Sequence, residues 1–286
     1  MKLFAPAKIN LSLDLVGRRA DGYHTLETVM QSISLFDTVS VERTRGDSVE
    51  LTCSKADVPC GADNTVLRAA DAFFKATGVS RESGLLFCIE KHIPRQAGLG
   101  GGSADAAAAL RLLDAVYRTR LGERELEAIG LSAGADVPFC IKGGTALVQG
   151  IGESMKPVAS IPACSVVVCK PDAGIGTKEA YAAFDRRKTK SVPHTASVLH
   201  ALEAGDLPAL GLALGNAFED AGAPREIPEI EAEMLRCGAA GACMTGSGSA
   251  VFGLFGAPER ATFCRKSLLK RFPAVFLCGP FSGGTN

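Results

Sequence analysis

Residues Gly98-Leu-Gly-Gly-Gly-Ser103 place four glycines directly ahead of an alanine-rich run that begins at Ala104. Glycine lets a backbone turn where a side chain would clash and lets another group approach it closely. The spacing beyond Ala104 predicts a helix to about Tyr117, apolar on one face. The first N–H groups of a helix have no internal partners and carry the positive end of its dipole. A glycine loop feeding a helix N-terminus is therefore an anion site, most often for phosphate, and it points to a nucleotide-using enzyme. A flexible linker would not run straight into such a helix. No Lys precedes Ser103, so this is not a P-loop. Lys91 to Ala97 separates the glycines from the strand-like Gly84–Glu90 segment, which does not suit a dinucleotide fingerprint.

The chain has 286 residues, enough for one large domain or two ordinary ones. Its 31 basic and 31 acidic side chains cancel, which argues against a nucleic-acid surface. Phosphate binding must then come from backbone dipoles and a few placed cations. Most of the ten cysteines, such as Cys88, Cys140, Cys164, Cys169 and Cys278, lie in or beside apolar runs, as reduced core thiols do. There is no Cys-x-x-Cys to suggest zinc. The N-terminus turns polar again by Lys8, unlike a signal peptide, and no apolar run reaches membrane-spanning length. We expect a cytoplasmic enzyme with free thiols, without membrane or nucleic-acid partners, as a monomer or homodimer.

Ala7 to Val16 alternates, with Ile9, Leu11, Leu13 and Leu15 on one face and Lys8, Asn10, Ser12 and Asp14 on the other. This predicts a half-buried strand with a wet face. Further strands are expected at Thr38–Arg43, Val49–Cys53, Gly84–Glu90, Thr145–Gln149, Ser165–Cys169, Ala242–Thr245, Ala250–Phe255 and Ala274–Cys278. Helices are expected at Val66–Ala76, Glu123–Ile129, Thr177–Asp185, Thr195–Ala204, Pro208–Phe218, Ile227–Cys237 and Pro258–Arg271. The texture changes around Gly150–Glu153, which places a domain boundary between residues 155 and 156. Strands and helices mix in both halves without strict alternation, so the fold class is α+β.

Three separated segments line up: Pro6-Ala-Lys-Ile-Asn-Leu11, the glycine loop with Ala104-Asp105, and Met244-Thr-Gly-Ser-Gly-Ser249. In this order and spacing the chain resembles the GHMP small-molecule kinases over nearly its whole length. The resemblance implies an N-terminal domain like domain 2 of ribosomal protein S5, a ferredoxin-like C-terminal domain, and an active site in the cleft between them. Gly17-Arg-Arg-Ala-Asp-Gly-Tyr-His24 and Gly134-Ala-Asp-Val-Pro-Phe139 are similar to the branch of the family that phosphorylates the 2-hydroxyl of a cytidine-diphosphate-linked methylerythritol in non-mevalonate isoprenoid synthesis. Within the family, the alternative acceptor is of mevalonate or homoserine type. Outside it, the alternative is a nucleotide sensor that has lost catalysis, although Lys8 and Asp136 are both present.

Taken by residue type alone, the candidate site residues read two ways. Ser103 and Asn64 suit helix caps as well as ligand contacts, and Asp136 suits an N-cap. Lys8 suits a solvated strand lysine, and Thr245–Ser249 a hairpin turn. Tyr23 and His24 suit a turn with one packed aromatic ring. The resemblance assigns them roles. It implies that Pro94, Arg95, Gln96, Ala97, Gly98, Leu99, Gly100, Gly101, Gly102, Ser103 and Ala104 wrap the triphosphate of ATP, with Mg²⁺ balancing its charge. Asn64 would help form the adenine pocket. Asp136 would be the general base, with Lys8 beside it. Asn10 would hydrogen-bond the acceptor or orient Asp136. Tyr23 and His24 would take the cytosine, with Tyr181 or Phe184 as a second wall. Thr177 would meet the substrate diphosphate, and Thr245–Ser249 would close the phosphate end. His92, His194 and His200 have no evident partners and read as structural.

Overall fold

The computed structural model describes residues 1–18, 24–187, 192–219 and 223–284. Two long strands organise it. β1 (Lys2–Arg18) and β2 (His24–Thr44) pair antiparallel along nearly their whole lengths. On its other side β2 pairs with β4 (Gly84–Glu90) through Thr38–Thr44 and with β5 (Thr145–Gly150) through Leu26–Gln31. β3 (Val49–Cys53) lies outside β4, and β6 (Ser154–Pro157) outside β5. The expected break between residues 155 and 156 falls within β6, and the second sheet begins at Ser165.

Helices α1 (Thr65–Thr77), α2 (Gly101–Tyr117), α3 (Glu123–Ala133) and α4 (Val137–Lys142) join this sheet. Every residue of α2 from Ala104 to Leu110 is buried, so the helix is enclosed on all sides rather than resting on one face. Its alanines pack in one core cluster with Val39, Val41, Leu85 and Phe87 of the sheet and Phe73 of α1.

The remaining strands, β7 (Ser165–Lys170), β9 (Gly241–Met244), β10 (Val251–Phe255) and β11 (Ala274–Cys278), form a four-stranded sheet in the order β11-β7-β10-β9, antiparallel throughout. With α5 (Thr177–Asp185), α6 (Thr195–Ala204), α7 (Leu207–Ala213) and α8 (Glu226–Arg236) between β7 and β9, and α9 (Pro258–Leu268) before β11, this is the ferredoxin-like order. The α+β class expected from the pattern is the class observed.

Two local expectations change. A helix from Pro208 to Phe218 is too long: α7 stops at Ala213, and β8 (Gly215–Asn216) joins β1 in parallel beside Ser12 and Leu13. A Cβ on Gly215 would stand 2.2 Å from the His194 ring, so glycine permits a close approach that the helical pattern did not register. The second change concerns β1. Lys8, Asn10, Ser12 and Asp14 are all buried, at 4% exposure or less, and not on a wet face. Ile9 and Leu11 pack with Val166, Val168 and Phe252 of the second sheet, while Asp14 accepts hydrogen bonds from the backbone N–H groups of His194 and Thr195 at the start of α6. Tertiary contacts thus cover both faces of a strand whose alternation signals one open face.

All ten cysteines are free thiols. Burial pushes Cys164 up to about 11 and Cys278 up to about 12, which keeps them protonated and unreactive. Among the described residues, no helix is long and apolar enough to cross a membrane.

Candidate active site

The three motif segments meet in space. The Lys8 N–H in β1 donates to the Leu99 carbonyl at 3.0 Å, while Ala250 N donates to the Ala97 carbonyl at 3.2 Å. Two glycines make the junction possible. Gly98 has φ +71°, and a Cβ there would stand 1.9 Å from the Thr245 carbonyl oxygen. Gly100 has φ +69°, and its Cβ would stand 2.9 Å from Lys8 Cγ. A side chain at Gly98 would push the 245–249 backbone away from the glycine arch, and one at Gly100 would displace the Lys8 side chain.

α2 starts three residues earlier than the pattern suggests, at Gly101, with Gly100 in the N-cap position. The first intrahelical bond runs from Ala104 N to Gly100 O at 2.9 Å. The N–H groups of Gly101, Gly102 and Ser103 therefore head the helix without helical partners, as an anion site requires. Ser103 lies inside the first turn, so it does not cap. Ala104 is fully buried in the core and is absent from the residues that line the cavity.

A cavity of about 650 Å³ opens over this arch. That is the size of a small-molecule site. Pro94 through Ser103 line it, as do Asn64, Asn10, Lys8, Asp136, Thr177 and Tyr181. Ala97 and Leu99 line it too, although both are buried in the core. Gln96 adopts φ +49° and accepts from Ser249 N at 3.3 Å. Arg95 lies at the mouth, its guanidinium 3.3 Å from Asp57 Oδ2. Asn64 does cap α1, accepting from Val66 N at 2.9 Å, while its amide donates to the Pro59 carbonyl at 2.7 Å.

Lys8 Nζ lies 3.6 Å from Asp136 Oδ2 and donates to Asn10 Oδ1 at 2.6 Å. Asn10 is fixed in turn: its amide donates to Thr28 Oγ1 at 2.8 Å, and its backbone N–H donates to Thr245 Oγ1 at 2.9 Å. Asp136 stands at the N-cap position of α4, yet its carboxylate makes no capping hydrogen bond. A third of that side chain remains exposed, toward the cavity, whereas Lys8 is only 4% exposed. The arrangement is a buried cation beside a half-open carboxylate, which suits stabilising negative charge on an oxygen bound between them.

Across the cavity the wall is aromatic. Tyr181 of α5 packs edge-on against Phe218 with centroids 4.9 Å apart, and both line the cavity. Burial pushes the Tyr181 phenol up, and the Asp136 carboxylate adds to the shift. Thr177 Oγ1 and Ser247 Oγ lie 3.3 Å apart across the gap between α5 and the 245–249 loop. His24 does not line the cavity. Its ring lies 5.2 Å from Tyr181 and 5.9 Å from Phe184, with Nε2 2.8 Å from Asp185 Oδ1. Tyr23 lies outside the described residues.

The family model for the GHMP kinases N terminal domain matches residues 64–144, and that for GHMP kinases C terminal matches residues 198–274. A 4-diphosphocytidyl-2-C-methyl-D-erythritol kinase of Clostridioides difficile is 38% identical over 99% of this chain and 99% of its own. The chain belongs to the GHMP kinase family. A crystal structure of 4-(cytidine 5'-diphospho)-2C-methyl-D-erythritol kinase superposes with a TM-score of 0.82 and 34% identity, covering 99% of this chain and 100% of the other. A homoserine kinase from Cytophaga hutchinsonii superposes nearly as well, at TM-score 0.79, with 19% identity over 100% of this chain and 96% of its own. That second likeness shows the fold alone. As a GHMP kinase, the protein is an ATP-dependent small-molecule kinase.

Several residues of this GHMP kinase site escaped the sequence pattern. Phe218 and Asn216 sit where a helix was expected. Asn216 donates to the carbonyls of Met244 and Gly246 at 2.9 and 2.8 Å and so braces the closing loop. Thr28 carries no motif and becomes visible only through β1–β2 register, which sets β2 beside Asn10. Lys91, Asp37 and Asp105 form a buried ion cluster under the glycine arch. Only the odd placement of charged Lys91 at the end of an apolar strand hinted at it. His92, His194 and His200 are absent from the cavity lining.

Proposed function

We propose that this kinase transfers the γ-phosphoryl group of ATP to the 2-hydroxyl of 4-diphosphocytidyl-2-C-methyl-D-erythritol. The observation that carries the reading is the Lys8–Asp136 pair, 3.6 Å apart, between an anion-binding helix start on one side and the Tyr181–Phe218 wall on the other. The names of the similar proteins and their full-length coverage support the cytidyl acceptor.

Phosphoryl transfer asks mainly for alignment and charge stabilisation. In this reading, the N–H groups of Gly101, Gly102 and Ser103 hold the phosphates, and Pro94 through Leu99 frame the nucleotide beside Asn64. Mg²⁺ enters with ATP as part of the substrate. Asp136 accepts the proton of the acceptor hydroxyl. The freed oxygen forms a bond to the γ-phosphorus as the bond to the β-phosphate bridging oxygen breaks, and ADP leaves with that electron pair. Lys8 steadies the developing alkoxide. Orientation by Asn10 and charge stabilisation by Lys8 carry a large share of the effect. Tyr181 stacks on the cytosine, Asp185 holds His24 beside it, and Thr177 with Ser247 meets the diphosphate. We read the chain as two domains divided near the β6–β7 connection, acting in the cytoplasm as a monomer or homodimer.

An ADP-release assay with Mg²⁺-ATP and four acceptors tests this: the cytidyl compound, mevalonate, homoserine and galactose. Turnover confined to the cytidyl compound is expected. Turnover on another acceptor instead would overturn the cytidine pocket while keeping the kinase.

A further inference from the structure

Lys91 follows directly on β4, Asp37 lies in β2, and Asp105 sits one turn into α2. Their side chains are 6%, 0% and 4% exposed. The Lys91 ammonium lies 2.5 Å from Asp37 Oδ2 and 2.5 Å from Asp105 Oδ2. Asp37 Oδ1 accepts from the backbone N–H groups of His92 and Ile93 at 2.5 and 2.8 Å. Asp37 is thus fully engaged. Asp105 Oδ1, by contrast, has no hydrogen-bond partner among the described residues, although it is buried. Two carboxylates around one ammonium leave an excess negative charge out of water, which is costly, and a proton on one of them removes it.

Asp105 is the member placed to take that proton. Burial first, then the nearby Asp37 charge and a hydrogen bond with Asp37, push its carboxyl up to about 7 against the pull of Lys91. Burial alone would depress Lys91, but the two carboxylates hold its ammonium above the ordinary range. The other titratable groups facing Asp105 are thiols, Cys53 at the end of β3 and Cys140 in α4. Burial pushes both thiols up, so neither supplies a counter-charge.

The position gives the proton a consequence. Lys91 and Asp105 both line the nucleotide cavity, and a Cβ on Gly101 would stand 3.0 Å from Lys91 Nζ. An ionised Asp105 at this spot would oppose the phosphates that the helix start attracts. We propose that Asp105 is a positioning residue that carries a proton and so holds Lys91 and Asp37 with it in a neutral triad beneath the phosphate arch. The kinetic part rests on the reading of Gly101–Ser103 as the ATP phosphate site; the protonation does not.

The test compares wild type, Asp105→Asn and Asp105→Ala by thermal unfolding from pH 5 to 9 and by ATP kinetics. A carboxyl whose folded pKa is raised stabilises the fold below its unfolded pKa and loses that contribution as pH rises through the folded value. Wild type is therefore expected to lose melting temperature as pH rises toward and through about 7, and Asp105→Asn, a permanent neutral mimic, to lack that component. At pH 7 the Asn variant should keep the KM for ATP within about twofold. Asp105→Ala should raise that KM roughly tenfold, with kcat within about twofold, the loss of a charged group's hydrogen bond. Identical melting profiles for wild type and Asn overturn the protonation. An Asn variant with an ATP KM as high as that of Ala, or an Ala variant with an unchanged KM, overturns the positioning role. If Asp105→Ala does not fold, the melting profiles still decide the protonation, and an Asn variant whose KM for ATP rises about tenfold or more overturns the positioning role. The melting profiles need no substrate, so failure of the acceptor reading is distinguishable from failure of this one.

Discussion

On the side proposed for the nucleotide, the centre of the cavity wall is main chain: the turn through Gly98 and Gly100 and the free N–H groups that open α2. On the side proposed for the acceptor it is side chain: Tyr181 and Phe218 edge to face, with Thr177 facing Ser247. A phosphate group is small, highly charged and the same in every nucleoside triphosphate, so a fixed arch of N–H dipoles serves any kinase of this kind. An acceptor differs from kinase to kinase, and side chains can be exchanged without rebuilding a backbone. The homoserine kinase likeness, at TM-score 0.79 and 19% identity, shows the same fold with most residues different.

The strongest challenge to the comparison lies where the two sides meet. Asp136→Asn keeps the size of the side chain and removes its basicity. It is expected to lower kcat by about 10²- to 10⁴-fold with little change in KM for ATP. A loss confined to KM would instead make Asp136 a binding group. Next comes Gly98→Ala, whose Cβ would meet the Thr245 carbonyl at 1.9 Å. It should raise the KM for ATP by at least about tenfold, as a strained backbone costs of order 1–3 kcal/mol. Steady-state kinetics with near-normal ATP affinity in that variant would show that the arch is not rigid. Tyr181→Ala tests the side-chain wall. Losing a stacked aromatic costs about 0.5–1.5 kcal/mol, so the acceptor KM should rise a few-fold to about tenfold while that of ATP holds. Equal losses for both substrates would dissolve the distinction between the sides. The smallest expected effect belongs to Asn64→Asp. Its carboxylate can still cap α1, so melting should be nearly unchanged. A raised KM for ATP with unaltered melting would assign the Asn64 amide to the adenine, beyond its capping role.

What could be read from the chain itself followed from local chemistry. The glycine run before an alanine helix announces an anion site because both parts are contiguous and depend only on backbone freedom and helix polarity. α5, α6 and β11 were found at their observed bounds, since each carries its own period and stop signals. β2 was only partly visible. Just Thr38–Arg43 reads as strand, while the structure extends it from His24 to Thr44, because pairing with β1, β4 and β5 holds its less patterned half. α4 is missing from the expected helices, although Asp136 suits an N-cap and Pro138 a first helical turn.

The sequence by itself determined the phosphate arch, the mixed α+β composition and the motifs that give the family. Only the tertiary structure decided that the polar face of β1 is buried, that Asn10 is clamped between Thr28 and Thr245, and that Lys91 joins Asp37 to Asp105. Each of those facts depends on groups tens to hundreds of residues apart. Whether a lysine on a strand is solvated or buried beside a carboxylate depends on what packs over it, and that is set by the whole fold.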